Sequence, residues 1–165
     1  MADTGRDSDD DSLYAAALPD DCDHRLRALY DYWRSRHPPE GGLPGRRHID
    51  PVHVPKLLPW IWLVDVQRSP LRFKHRLVGT EQVRAMERDL TGKWLDEVFP
   101  LFLGSPSYRQ FTAAAERGEI AYRRGKPQFH LSKEYLAVER LLLPLAKDGK
   151  VVDMLLAITV YHHVA

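Results

Sequence analysis

A chain of 165 residues, 44% apolar and 28% charged, has enough material for one folded domain with a real core. Its apolar runs fall far short of the roughly 20 residues that span a bilayer, and no signal segment opens it. Its single cysteine, Cys22, excludes an internal disulfide and any cysteine-cluster metal site.

The net charge of +1 conceals a division. Residues 1–23 carry eight Asp and one Arg, a balance of −7, against +8 for the remainder. The acidic leader, residues 1–22, lacks the apolar surface to order itself and is expected to be a disordered, solvating segment ahead of a domain over 23–165. A weak fold-back onto the basic body is the alternative. A cytoplasmic location is expected.

In chain order, Asp23 is placed to cap a helix over about 24–37, where Leu26, Leu29, Tyr30 and Trp33 share one face. Pro38-Pro39 ends it, and "PPEGGLPG" reads as a loop. Asp50-Pro51 opens at most two turns before Pro55. "WIWLVDV" is rich in aromatic and β-branched residues and predicts a first strand. A second follows in "RFKHRLV", where Phe73, His75 and Leu77 alternate with basic residues.

Gly79-Thr80 then turns that strand into a helix, with Thr80 the expected cap and Val83 and Met86 its apolar face. Thr91 is the expected cap of another brief helix in "DLTGKWLDEVF". Ser105-Pro106 opens a longer helix with Tyr108, Phe111, Thr112 and Ala115 on one side, closed at Gly118. Three strands end the chain, at roughly 120–131, 135–145 and 151–161. Asp148-Gly149 signals a tight hairpin between the last two.

This order predicts an α+β fold with a five-stranded antiparallel sheet and short helices on one face. The last strand is apolar on both alternating sets. Both sheet faces are therefore expected to be covered, one by the middle helices and the other by the N-terminal helix or a second subunit.

The segments "IDPVHVPKLLPWIWLVDV", "RFKHRLVGTEQV", "RDLTGKWLDEVF" and "ERLLLPLAKDGKVVDMLLAITVY" resemble, in that order, a bacterial single-domain PAS family of unknown function. The resemblance runs from about His24 to Tyr161. It implies a sheet and short helices around a cavity that holds haem, flavin, a small metabolite or nothing, so the cofactor stays open. It also implies dimerisation and regulation of a partner, a sensor kinase by analogy. The N-terminal helix of such proteins commonly packs against a second copy, which makes Leu26, Leu29, Tyr30 and Trp33 dimer-interface candidates; capping the sheet of their own subunit is the equal alternative.

Phosphate-binding signatures are absent. Gly79 stands alone where a dinucleotide fingerprint needs three glycines, and Gly92-Lys93 is followed by Trp94 instead of Ser or Thr. His75, on the face of Phe73, is expected to line any cavity, as a ligand contact or simply bonded to a backbone carbonyl where the family has an aromatic residue. The other cavity candidates are Trp62, Phe73, Met86, Tyr108, Phe111, Tyr122, Tyr135 and Met154, which could equally fill the space. No compact histidine spacing predicts a metal, and no nucleophile motif predicts catalysis. Basic residues are spread through every element without a nucleic-acid motif, so nucleic acid is not an expected partner. The reading is a stand-alone PAS domain acting as a non-catalytic regulator or adaptor through protein contacts, with a small-molecule sensor as the alternative.

Overall fold

A computed structural model of the chain describes residues 12–127 and 135–163, without the side chains of residues 135 and 136. The strands are β1 (Leu13–Ala15), β2 (Ile61–Gln67), β3 (Arg72–Val78), β4 (Ala121–Gly125), β5 (Tyr135–Leu145) and β6 (Met154–His163). The helices are α1 (His24–Ser35), α2 (Thr80–Met86), α3 (Leu95–Val98) and α4 (Pro106–Arg117), with three 3-10 turns between Arg46 and Trp60. The strands form one antiparallel sheet in the order β1-β4-β5-β6-β2-β3. Among the described residues the sheet thus has six strands where five were expected. The extra one, β1, comes from the acidic leader and pairs Leu13, Tyr14 and Ala15 with Arg124, Arg123 and Tyr122. The leader expectation is corrected for residues 12–22; residues 1–11 lie outside the described residues.

Both sheet faces are covered by this chain alone. Leu26, Leu29 and Trp33 of α1 pack with Ile61, Leu63, Tyr122, Leu141, Leu143, Leu145, Leu156 and Ile158 on one face. The Trp33 indole N–H donates to the Pro144 carbonyl at 3.0 Å. On the other face, Phe102 and the α4 residues Phe111, Ala114 and Ala115 pack on Trp62, Val64, Phe73, Leu142, Leu155 and Ala157. The dimer-interface expectation for Leu26, Leu29 and Trp33 is corrected accordingly, because their surface is already buried in their own core. Of the four, Tyr30 is the one left half-buried.

Local differences from the expected elements have physical causes. Gly79, not Thr80, is the residue before α2, and no side chain caps that helix. Gly79 donates its N–H to the Ile61 carbonyl at 2.8 Å. A Cβ there would stand 2.5–2.6 Å from the carbonyl oxygens of Leu58, Pro59 and Ile61, so only glycine lets the chain pass. Thr91 caps no helix: its N–H and hydroxyl both donate to Asp89, and α3 begins after Trp94. A bulge between the pairs Leu63–Leu77 and Val64–His75 breaks the alternation of β3, leaving Leu77 exposed at the sheet edge.

The link from β5 to β6 is an eight-residue loop, 146–153, not a two-residue hairpin. Asp148 accepts from the Lys150 and Val151 N–H groups, while Leu43 N–H and Ala146 N–H bond the Gly149 and Pro44 carbonyls. The loop thereby zips onto residues 43–44, and β6 starts at Met154 instead of Val151. The strand expected over 120–131 is seen as Ala121–Gly125, and residues 128–131 lie outside the described residues.

Candidate functional site

Strand parity sets the site. On the α4 face, β2 presents Trp62, β3 presents His75, β4 presents Arg123, β5 presents Val138 and Arg140, and β6 presents Thr159 and Tyr161. With Gln82 and Met86 of α2, Leu95 of α3, Phe99, Phe102, Pro127 and Phe111 of α4, they line a partly open cavity of about 70 Å³. That is far below the roughly 300–1,000 Å³ of sites for drug-sized ligands. A haem or flavin does not fit this space; a compound of a few heavy atoms does.

His75 is held twice by one carbonyl. Lys93 O accepts both the His75 backbone N–H and its ring Nδ1–H, each at 2.9 Å, and Gly92 N–H returns a bond to the His75 carbonyl at 2.7 Å. The Gly92-Lys93 turn, no phosphate loop, thus fixes the imidazole and its tautomer: Nδ1 carries the proton, and Nε2 is a bare acceptor. The ring stacks on Trp62 at 5.6 Å and is 1% exposed. Burial pushes the His75 pKa below its ordinary value, so the ring is neutral at neutral pH. Nε2 is buried with no partner among the described residues.

Arg140 is the second unusual group. A cation in the middle of a central strand, it is 9% exposed and stacks over the Phe111 ring at 5.2 Å. Its Nη atoms donate to the Gln110 side-chain oxygen and, at 3.4 Å, to the Ser107 hydroxyl, while Nε has no partner among the described residues. Burial, with repulsion from Arg123, pushes its pKa down to about 9, and it stays charged at neutral pH. Two further bonds hold neighbouring walls of the cavity: Trp62 Nε1–H donates to the Thr159 hydroxyl at 3.0 Å, and the Tyr161 hydroxyl donates to Gln82.

Of the residues expected from sequence to line a cavity, Trp62, His75, Met86 and Phe111 do so. Phe73 and Tyr108 fill space beside it, in edge-to-face contact with Phe102 and, for Phe73, Phe111. Tyr122 and Met154 are corrections: both belong to the α1 face. The Tyr122 hydroxyl donates to Glu139 at 2.8 Å, and burial with that carboxylate raises its pKa. The Tyr135 side chain lies outside the described residues. Sequence reasoning missed Gln82, Leu95, Phe99, Phe102, Arg123, Pro127, Val138, Arg140, Thr159 and Tyr161.

On the α1 face, Asp23, Glu139 and His162 bring potential metal-ligating atoms within 4.8 Å of one another. Glu139 there accepts from the Asp23 N–H, the Tyr122 hydroxyl and His162 Nε2, while Asp23 is engaged by Arg25. The cluster is a hydrogen-bond network that ties α1 and the start of the domain to β5.

A family model described as a PAS domain matches residues 22–159. No curated protein matches the chain. Among solved structures, it is similar to an RNA-binding light-oxygen-voltage receptor at 16% identity and a TM-score of 0.43, over 91% of this chain and 38% of that one. The chain therefore spans well under half the length of that receptor. No helix among the described residues is long and apolar enough to cross a membrane.

Proposed function

This chain belongs to the PAS domain family, a family of sensory and signalling domains, and we propose that within it the chain is a non-catalytic sensor whose input is a small molecule held between α2, α4 and the sheet. One observation carries this reading: His75 Nε2 and Arg140 Nε, buried and without a hydrogen-bond partner among the described residues, belong to side chains that line the same cavity. A core built only for packing satisfies or excludes such groups. A sensor kinase is the kind of partner that suits the fold class, and a homodimer would have to use outward surface such as that of Tyr30.

The adaptor reading has its own support. Leu101 and Leu103 are exposed on either side of Phe102, which lines the cavity. A loop with its middle residue against a ligand and its flanks offered to a partner joins the two readings. The sensor reading is ahead because exposed leucines are ordinary on protein surfaces, whereas paired orphan polar groups in a core are not.

The test is to denature gently purified protein and identify small molecules released, beside a cavity-filling Val138→Phe variant. A stoichiometric compound released by the native chain and absent from the variant is expected. Equal or empty release from both would contradict the reading.

A further inference from the structure

The charge of the cavity wall is lopsided. Arg123 and Arg140 both line it and are buried, and among the described residues neither meets a carboxylate. Arg123 donates to the Tyr14 hydroxyl at 3.2 Å, the Ser12 hydroxyl at 3.1 Å and the Lys126 carbonyl at 2.6 Å, all uncharged. Arg140 donates to Gln110 and Ser107, also uncharged. The buried acid on β5, Glu139, points to the opposite face and is engaged there by Tyr122 and His162. Buried cations are ordinarily paired, and no described residue gives these two guanidinium groups a counter-charge.

His75 adds a second requirement. With Nδ1–H fixed on the Lys93 carbonyl, Nε2 can only accept, so whatever meets it must give a hydrogen. An alcohol could do so but would leave the guanidinium groups without counter-charge. A plain carboxylate would supply the charge but has no hydrogen to give.

Resting on the sensor reading, we infer that the cavity takes a small hydroxycarboxylate, its carboxylate on Arg140 and its hydroxyl donating to His75 Nε2. The volume of about 70 Å³ holds it to a few heavy atoms. Stacked Trp62 and the rings of Phe102 and Phe111 would surround the carbon skeleton and keep water from the charged contact. Because Arg140 also holds Gln110, whose amide donates to the Tyr122 carbonyl at 2.7 Å, occupancy would be felt along α4 and at β4.

The test is titration calorimetry on the full chain at fixed ionic strength with three probes: glycolate, acetate, which lacks the hydroxyl, and propane-1,2-diol, which lacks the charge. Saturable one-to-one binding of glycolate is expected, with acetate and the diol each at least about tenfold weaker. His75→Phe should erase the advantage of glycolate over acetate. Arg140→Met should erase its advantage over the diol, and Arg140→Lys, which keeps the charge, should retain part of it. A diol bound as tightly as glycolate would overturn the hydroxycarboxylate inference while supporting the sensor reading. Glycolate binding that survives in both Arg140 variants would overturn it too. Absence of binding by all three probes would overturn the inference alone, since the sensor reading is decided separately by the compound released from purified protein.

Discussion

Replacing Arg140 by methionine should stabilise the ligand-free protein. The guanidinium is 9% exposed, meets no carboxylate among the described residues, and keeps Nε unbonded. Desolvating the buried guanidinium, which pushes its pKa down to about 9, costs several kcal/mol. The bond to Gln110 and the Phe111 ring return about 1–3 kcal/mol of this. Methionine has similar length and no charge to desolvate, and Gln110 is half-buried, so water can reach the amide that is left. A net gain of about 1–3 kcal/mol is expected, read as a higher urea midpoint at unchanged m and a Tm raised by roughly 3–8 °C. Such a gain marks a residue kept at the expense of stability, as at a functional site. A variant less stable than the parent by more than about 1 kcal/mol would show that Arg140 is a structural group and refute the reasoning.

Three further outcomes follow from the geometry. Gly79→Ala should cost about 3 kcal/mol, because its Cβ meets three carbonyl oxygens that cannot move independently, while Gly104→Ala, in open space at φ +82°, should cost only about 1 kcal/mol; equal urea midpoints would contradict this. The folded-state pKa of His75 lies below its ordinary 6.5, so the unfolded chain takes up that proton first. The resulting stability is complete above about pH 6.5 and is lost as pH falls through that value, by up to about 1.4 kcal/mol per pH unit. The difference in stability between the native chain and His75→Phe should shrink in that window, and a pH-independent difference would argue against a neutral buried ring. Leu29→Ala should cost about 3 kcal/mol and leave the sedimentation coefficient unchanged, since Leu29 faces its own sheet; a shift in oligomeric state would return it to an interface.

Much of the framework is legible in the sequence because periodicity and caps agree. Asp23 and Ser105 cap α1 and α4 as their positions suggest, and the aromatic and β-branched runs become β2 and β3. β1 was hidden because "LYA" is three residues inside an acidic run, and it is a strand only through its pairing with β4. Within the site, Trp62 and His75 follow from alternation on β2 and β3. Arg140 was passed over because a charged residue on a strand reads as solvent-facing. Yet it shares parity with Val138 and Leu142 in a strand apolar on both faces, which was the available signal. Tyr122 and Met154 went astray for the same reason: an aromatic or Met on a two-sided sheet has two cores to choose from, and composition does not pick one. The neighbours do, since Tyr122 follows Ala121, which takes the α4 face.

The most direct test is the indole N–H region of a proton–nitrogen NMR spectrum while glycolate is titrated in. The chain has four tryptophans. Trp62 lines the cavity and bonds Thr159, Trp33 bonds Pro144 on the opposite face, and Trp60 and Trp94 carry Arg25 and Arg72 over their rings. The account predicts a saturable shift of the Trp62 signal with the other three in place. No movement of Trp62, or movement confined to Trp60 and Trp94, would contradict the placement of a hydroxycarboxylate in this cavity.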